Sequence, residues 1–504
     1  MNQEFSSIQV KAPNKNVFDL SHEVKLSANM GWLIPTLRIH CLPGDMHSIS
    51  NETLIRVAPM IAPMMHRVNL FFHCFFVPHR ILWPNWEKFI TNTKVGGILP
   101  AIPTITFNDA WYNGDKLSDY LQLPNPNGTT HEINAFIFAA YQKTYNEIYR
   151  DENLVTTGIW SGELIDGDNT AEPYLNVLRK RAWEHDYFTS CLPFAQKGDA
   201  VSIPIGSIQD DFPVRVRNSD YTAGPGLFEN LNPPPIQMTI QTDSPDGGFS
   251  DEIFAKAAGI DLGATTINDF RTAETIQKWL ELAARGGTRY AELLRNYFNI
   301  KVQDARLQRP EYIYGSKSPI QVSEVLQTSE TSATPQGNMA GHGIGVQSGN
   351  TGRYYCHEHG YIIGMLSVMP KTAYQQGIDR EFFYQQPLDF PWPQFAHLGE
   401  QAVLNKELKA DHAAPNSTFG YNPRFSECKY MASKVAGDFK TTNDFWTMAR
   451  IFGTDPALNA NFINADPTFR IFAATDPDID HLWIQHHNII KSTRCLPTFS
   501  TPTI

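Results

Sequence analysis

Stretches typical of short β-strands recur from one end of the chain to the other, and this distribution most constrains the fold. Residues 17–26, 33–42, 68–77, 361–368 and 482–490 are rich in β-branched and aromatic side chains, and turn residues follow several of them. Helical patterns lie between them, but strands and helices do not alternate as they would in a parallel sheet. The sequence therefore predicts a mainly β protein, an antiparallel double-sheet sandwich with long loop and helical insertions, of which the jelly roll is one kind.

Two of the inserted helices are predicted from apolar stripes at helical spacing. The first begins near Asp269 and is broken by Gly286-Gly287, and the second continues from Tyr290. Both stripes are expected to face the core. A third helix is predicted after Thr129, whose spacing from Glu132 is that of a capping box.

The domain organisation follows from where apolar segments are missing. Residues 1–16 are polar and are predicted to form an extended arm, because they could not build a core of their own. Residues 17–504 are predicted to form one jelly-roll domain. Its insertions are expected notably at 80–195, 206–300 and 328–352, which include long loops rich in proline and glycine.

The composition indicates that much of the surface of the chain is removed from water, either in a core or at subunit interfaces. Charged residues make up 18% of the chain and aromatic residues 12%. A large core explains part of this, and subunit interfaces explain it too, because their centres favour aromatic and exclude charged side chains. Trp83, Trp86 and Trp392 are candidate interface anchors, with ordinary core packing as the alternative for each.

The net charge of −11 excludes a protein that binds phosphate groups over its whole surface. Contact with nucleic acid must then be confined to local basic patches or be supplied by a separate basic partner. Lys11 and Lys15 of the arm, with nearby aromatic side chains, are the candidate contacts, through charge and stacking.

The strongest metal-type motif is Cys356-His357-Glu358-His359. On a strand, His357 and His359 would point to the same face, as in the cupin metalloenzymes, which are jelly rolls. The glutamate that cupins carry three or four residues later is missing here, and histidines satisfied within a strand are the simpler interpretation. The six cysteines are scattered and form no CxxC pair, so no zinc ribbon and no disulfide framework is predicted.

Other motifs for chemistry are absent or incomplete in the sequence. There is no GxxxxGK[ST] phosphate loop and no GxSxG nucleophile elbow. Asp476, Asp478 and Asp480 resemble the first half of a calcium loop without its glycine and closing glutamate, so a calcium ion shared between subunits is only an alternative to a solvated acidic turn. We therefore predict no catalytic residues, no resident metal and no cofactor.

Several strings occur in a fixed order and resemble one family. The most specific is Ala284-Arg285-Gly286-Gly287-Thr288-Arg289-Tyr290. Others are Phe18-Asp19-Leu20-Ser21, Leu42-Pro43-Gly44-Asp45, Arg56-Val57-Ala58-Pro59-Met60, Asp186-Tyr187-Phe188-Thr189-Ser190, Thr334-Pro335-Gln336-Gly337-Asn338 and Phe395-Ala396-His397-Leu398-Gly399-Glu400-Gln401. Together they resemble the major capsid protein of microviruses, the small circular single-stranded DNA phages, and especially the gokushovirus-like branch.

The resemblance implies an eight-stranded antiparallel jelly roll of the viral capsid type. It also implies a T = 1 icosahedral shell of sixty copies around a single-stranded DNA genome, lined by a small basic DNA-binding protein. Pilot and scaffolding-type viral proteins and a host surface receptor are the other expected partners. The expected location is the virion, assembled in the host bacterial cytoplasm. Residues 206–266 stand where branch members can raise a protrusion at the threefold axis.

The sequence thus predicts a structural protein that assembles with itself, and not an enzyme. Two alternatives remain at this point. A cupin-type metalloenzyme would bind a metal through His357 and His359. A carbohydrate-binding β-sandwich would bind glycans through exposed aromatic side chains.

Overall fold

The computed structural model describes residues 14–94, 96–160, 162–201, 266–326 and 339–499, together with six short strands between 207 and 261. Lys11 and most of the predicted arm lie outside the described residues, and so do most of residues 206–266. In the described part, the strands are β1 (Asn16–Asp19), β2 (His22–Ala28), β3 (Ile34–Cys41), β4 (Met46–Met60), β5 (Val68–Pro78), β6 (Thr104–Phe107), β7 (His131–Asn134), β8 (Ser207–Ile208), β9 (Arg215–Arg217), β10 (Leu227–Glu229), β11 (Met238–Ile240), β12 (Phe254–Lys256), β13 (Ile260–Asp261), β14 (Glu311–Leu326), β15 (Met339–Ser348), β16 (Gly352–Tyr355), β17 (Gly360–Pro370), β18 (Glu400–Leu404), β19 (Thr418–Pro423) and β20 (Leu482–Arg494).

The α-helices of the described residues are mostly short and lie between these strands. They are α1 (Trp86–Ile90), α2 (Asp109–Gly114), α3 (Leu117–Tyr120), α4 (Phe136–Thr144), α5 (Ile267–Arg285), α6 (Tyr290–Phe298), α7 (Asn405–Leu408) and α8 (Ala460–Ile463). No helix in this part of the chain is long and apolar enough to cross a membrane.

The chain divides into two compact units. The larger consists of Met1–Ala195 and Ala284–Ile504, and the smaller of Gln196–Ala283. The smaller unit holds the strand pairs β10–β11, β9–β12 and β8–β13, all antiparallel, and most of α5. The main sheet belongs to the larger unit.

Ten strands form one curled antiparallel sheet, which is the expected jelly-roll arrangement. The order along the sheet is β1-β20-β4-β15-β14-β5-β17-β3, with β2 also paired to β20 and β16 also paired to β4. β1 and β2 pair with successive stretches of β20, and β16 and β15 pair with successive stretches of β4. β1 and β2 therefore share one position in the sheet and β15 and β16 share another, so the ten strands fill eight strand positions.

The core lies between the two halves of this curled sheet. β5 is buried along almost its whole length, and α4 packs against β5 and β17. Covering both faces explains why most residues of β5 are apolar, with Asn69 and His73 as the exceptions. β20 alternates instead, so that Leu482, Ile484 and Ile490 are buried while Trp483 stays about half exposed.

The predicted capping box is wrong. Glu132 belongs to β7, and α4 begins only at Phe136. The Thr129 hydroxyl donates to the Pro126 carbonyl at 2.6 Å, which closes a turn instead of capping a helix. Asn134 is the residue whose side chain accepts a hydrogen bond at the start of the helix, from the Phe136 N–H at 2.7 Å.

The insertion expected at 328–352 includes a strand of the sheet. Residues 339–348 form β15, which pairs with β4 on one side and β14 on the other. Its glycines were expected in a loop. Gly343 lies opposite Val57 in the register, and a Cβ on Gly343 would approach Val57 Cγ2 to 2.7 Å. The glycine thus permits close strand packing here.

Candidate assembly surface

The segment 380–398 displays large apolar side chains on the surface of the subunit. Phe382 is 72% exposed and Leu388 is 65% exposed. Phe390 and Trp392, which follow them, are exposed as well. Soluble monomers rarely leave so many neighbouring apolar side chains in water. The segment is therefore a candidate surface for association with another protein.

The backbone of this segment is fixed by short-range hydrogen bonds. The Gln385 N–H donates to Asp389 Oδ2 at 3.0 Å, and the Trp392 indole N–H donates to the Pro387 carbonyl at 2.8 Å. Each bond closes a local turn. The apolar side chains are consequently held in a defined arrangement although little of the chain covers them.

Two carboxylates anchor the start of the segment to the rest of the subunit. Arg380 Nη1 lies 3.3 Å from Glu407 Oε1 and donates to the Ala402 carbonyl at 2.6 Å. The Tyr384 hydroxyl donates to Glu427 Oε1 at 2.9 Å. Burial raises the pKa of Glu407, and the guanidinium of Arg380 opposes that shift by favouring the charged carboxylate.

The apolar surface continues on to a second stretch of chain. Tyr430 is 62% exposed and Met431 is 94% exposed. With Tyr384 and Pro391 they line one depression of about 160 Å³. We call residues 380–398 together with Tyr430 and Met431 the assembly surface.

The three predicted tryptophan anchors occupy different environments. Trp83 is 1% exposed and its indole N–H donates to Asp166 Oδ1 at 2.7 Å, so it packs inside its own subunit. Trp86 is partly buried, and its ring lies 4.7 Å from that of His79. Trp392 is 46% exposed and lies on the assembly surface. Only Trp392 thus has much of its ring available to a neighbouring subunit, and the anchor role stays a prediction.

The apolar faces of α5 and α6 were expected to lie in the core, and this expectation is wrong for several of their residues. Tyr290 and Phe298 of α6 are 65% and 64% exposed. Phe270 of α5 is 54% exposed. An amphipathic pattern shows that a helix has an apolar face, but it does not show whether the same chain covers that face.

Of the two lysines predicted to contact nucleic acid, only Lys15 is described. Its Nζ donates to the Gly44 carbonyl at 2.8 Å and lies 5.3 Å from the centroid of the Tyr355 ring. Asn16, the next residue, already belongs to β1. The residues just before the sheet are therefore tied to it, and contact with nucleic acid stays a prediction.

The predicted pair of histidines on one strand face does not form. Residues 356–359 lie in the connection between β16 and β17 and not on a strand. The His357 ring lies 4.9 Å from Tyr355, and the His359 ring lies 5.6 Å from Trp86. Each imidazole packs against a different aromatic ring, so the cupin-type interpretation loses its geometric basis.

Two of the three aspartates of the incomplete calcium loop, Asp476 and Asp480, have carboxylates with separate partners. Asp476 Oδ1 accepts from the Asp478 N–H at 3.0 Å, while Asp480 Oδ2 accepts from the Ser27 hydroxyl at 2.6 Å. Lys116 Nζ lies 3.9 Å from Asp480 Oδ1. These contacts are those of a solvated acidic turn. Calcium shared between subunits stays a prediction.

The fold and its exposed apolar surfaces define a class of protein, a jelly-roll subunit suited to association. Comparison with known families identifies it further. The model of the family described as capsid protein (F protein) matches residues 6–504, so this chain belongs to that family. It is thus a structural component of a virion that assembles with itself into a shell, and the expectation that it is not an enzyme is confirmed.

Individual relatives align along nearly their whole lengths. The chain is similar to capsid protein VP1 of Chlamydia phage 1, with 33% identity over 100% of this chain and 98% of the relative. It is 35% identical to capsid protein VP1 of Bdellovibrio phage phiMH2K, over 99% and 97% of the two chains. Capsid protein VP1 of Spiroplasma virus 4 is 27% identical over 99% and 97%. The expected resemblance to microvirus capsid proteins is confirmed.

Proposed function

We propose that sixty copies of this chain assemble into a T = 1 icosahedral shell that encloses a single-stranded DNA genome. The observation that supports the proposal best is the alignment with capsid proteins of three phages over nearly the full length of both chains. No large region is left over for a different activity. A closed shell follows when identical contacts repeat under point-group symmetry.

We propose that a second copy of the chain covers the assembly surface. Its centre consists of aromatic and aliphatic side chains such as Phe390, Trp392 and Met431. Interface cores have this composition because burying apolar area there is favourable and burying unpaired charge is costly. Each contact can be weak, since many identical contacts form together in a closed shell.

The net charge of −11 favours a separate basic partner inside the shell. An acidic coat does not neutralise a DNA genome, so we propose that a small basic DNA-binding protein supplies positive charge. Pilot and scaffolding-type viral proteins, and a host surface receptor, complete the proposed partners. Assembly is proposed to occur in the host bacterial cytoplasm.

The proposal is tested by expressing the full chain and examining it by negative-stain electron microscopy and light scattering. We expect closed shells, or pentamers that close when single-stranded DNA or the partner proteins are added. Sixty chains of 56.9 kDa give a shell of about 3.4 MDa, which mass measurement distinguishes from other shell sizes. A monodisperse monomer or dimer under every condition would contradict the proposal.

A further inference from the structure

Three metal-ligand side chains from separate stretches of the chain meet in one buried cluster. Cys41 ends β3, His47 is the second residue of β4, and Cys356 directly follows β16. One ligand atom of each residue lies within 4.8 Å of the other two, and all three side chains are 0% exposed. Two thiols and an imidazole in one dry site form a donor set that zinc favours.

The spacing of the three atoms suits a tetrahedral ion. Zinc binds sulfur at about 2.3 Å and histidine nitrogen at about 2.0–2.1 Å, which places neighbouring ligand atoms about 3.6–3.8 Å apart. All three separations are within 4.8 Å, which is at most about 1 Å above that spacing.

The His47 imidazole is oriented as a metal ligand would be. Its Nδ1 lies 2.7 Å from the hydroxyl of Ser492, which is itself 0% exposed. Its Nε2 is buried and makes no well-formed hydrogen bond. Histidine ligands typically use one ring nitrogen for a supporting hydrogen bond and present the other to the metal.

Asp45 supplies the nearest carboxylate. Its Oδ2 lies 3.6 Å from His47 Nε2 and 3.2 Å from Arg494 Nε, and accepts from the Leu42 N–H at 3.0 Å. Its Oδ1 is buried and has no hydrogen-bond partner. Aspartate oxygen is a common zinc ligand, but the Asp45 oxygens lie outside the mutual 4.8 Å spacing of the other three ligand atoms, so Asp45 would have to turn toward the cluster to take the fourth position.

The backbone around the cluster is held independently of any ion. The Gly44 N–H donates to the Cys356 carbonyl, and the Cys356 N–H donates to the Asp45 carbonyl, each at 2.8 Å. Gly44 has a φ of +89°, a left-handed conformation that suits glycine in this turn. The turn between β3 and β4 is thus fixed against the stretch that carries Cys356.

We propose that Cys41, His47 and Cys356 bind one zinc ion, with Asp45 completing the coordination. Binding forms two Zn–S bonds, one Zn–N bond and, through Asp45, one Zn–O bond. It displaces the water ligands of the hydrated ion and releases the two thiol protons to solvent, so no oxidant is required. The ion would link the β3–β4 turn to the β16–β17 connection and, through Ser492, to β20. The role is structural, and it does not depend on the proposed shell.

The first test uses the unmodified full-length chain. Purified under reducing conditions from zinc-supplemented cells, it should contain one equivalent of zinc by elemental analysis. Replacement by Co²⁺ should produce the intense near-ultraviolet absorption of thiolate-to-cobalt charge transfer. Absence of both signals would overturn the proposal, and so would a Cys41–Cys356 disulfide found by non-reducing peptide mass spectrometry. Neither measurement requires shell formation, so failure here and failure to assemble are distinguishable.

Variants then assign the ligands. The double substitution Cys41→Ser with Cys356→Ser should abolish zinc binding, whereas Cys428→Ser, at an exposed cysteine, should retain it. Ser492→Ala keeps all the ligands and should weaken zinc affinity about ten-fold, because the imidazole loses its orienting hydrogen bond. Unchanged zinc affinity in both the double variant and Ser492→Ala would assign the metal to another site and contradict the proposal.

Discussion

The imidazole of His486 packs against the ring of Phe72, with their centroids 5.1 Å apart, although the two residues lie on opposite halves of the jelly roll. His486 Nδ1 lies 2.8 Å from Thr53 Oγ1, and its Nε2 lies 3.0 Å from Asn488 Oδ1. Both ring nitrogens therefore have polar partners in a core that is otherwise largely apolar. A titratable group in this position links the stability of the sandwich to pH.

We predict that the subunit loses stability as the pH falls below about 6.5. Burial lowers the pKa of His486 from 6.5 to about 4. Because the folded pKa lies below the unfolded one, the stabilisation is complete above pH 6.5 and is lost as the pH falls toward 4. His486 alone should reduce the free energy of unfolding by about 2 kcal/mol between pH 7 and pH 5. Urea unfolding at the two pH values measures this.

Other buried histidines contribute to the same pH dependence, so His486 has to be separated from them by substitution. His73 and His79 are also buried, and burial lowers their pKa values to about 4 and about 3, so they add to the same trend. His486→Gln should reduce the pH dependence of the free energy of unfolding, because it removes the buried titrating imidazole. An equal pH dependence in wild type and His486→Gln would contradict the assignment.

We predict opposite consequences for two tryptophans that look alike in the sequence. Trp83→Ala removes a side chain that is 1% exposed and should lower the free energy of unfolding by about 3–5 kcal/mol. Trp392→Ala removes a side chain that is 46% exposed and should change it by less than about 1 kcal/mol. The Trp392 variant should instead weaken assembly, because the apolar contact at the interface is lost.

The two readouts are separate measurements on the same variants. Urea unfolding of the unassembled subunit gives stability, and light scattering against protein concentration gives assembly. Ile98→Ala serves as the control for assembly, since Ile98 is 76% exposed and lies away in sequence from the assembly surface. If Trp392→Ala assembled at the same concentration as Ile98→Ala and wild type, the assembly surface would not be an interface.

The strands whose pattern is complete in one stretch of sequence could be predicted. β5 is mostly apolar along its length, with Asn69 and His73 as exceptions, because both its faces are covered. β20 alternates because only one of its faces is covered. The break between α5 and α6 was likewise visible at Gly286-Gly287. In each case the signal is local, so it needs no knowledge of the partner strand.

β15 could not be predicted, because its reason lies in other strands. Gly343 and Gly345 read as loop residues, yet a Cβ on them would meet Val57 at 2.7 Å and Ile320 at 3.0 Å. The sequence shows only that these two residues have no side chains. Which neighbouring side chains occupy the space beside them is visible only in the assembled sheet. The same limit applies to the cluster of Cys41, His47 and Cys356, whose members come together only when β4 and β16 pair.

We predict that the arm lysines contribute to binding of single-stranded DNA. Lys11→Gln with Lys15→Gln should weaken binding of an oligonucleotide to the chain and lower the dependence of log K on log salt by about 1.4, since each phosphate contact contributes about 0.7. Fluorescence anisotropy over a range of salt concentrations measures both. Lys25→Gln, another exposed lysine near the N-terminus, is the control with little expected effect. Equal slopes in all three proteins would remove the arm from the interface with DNA.

Arg289 belongs to the string most specific to the family and directly precedes α6. Its side chain contacts residues 146–152, in the insertion at 80–195. Its Nη2 donates to the carbonyls of Asn146 and Arg150 at 3.0 and 2.8 Å, and its Nε lies 3.2 Å from Glu152 Oε1. The side chain is only 16% exposed. A planar guanidinium can satisfy several acceptors at once in this way, which an ammonium group cannot.

We therefore predict that Arg289→Ala lowers the free energy of unfolding by about 2–4 kcal/mol, because two carbonyls lose a donor away from bulk water and Glu152 keeps only Arg150 of its two arginine partners. Arg289→Lys should recover only part of this, since lysine lacks the planar fork. Arg295→Ala, at a solvent-exposed arginine of the same helix, should stay within about 0.5 kcal/mol of wild type. Urea unfolding of the four proteins gives the comparison. Full recovery by lysine would mean that charge alone, and not the geometry of the guanidinium, stabilises this contact.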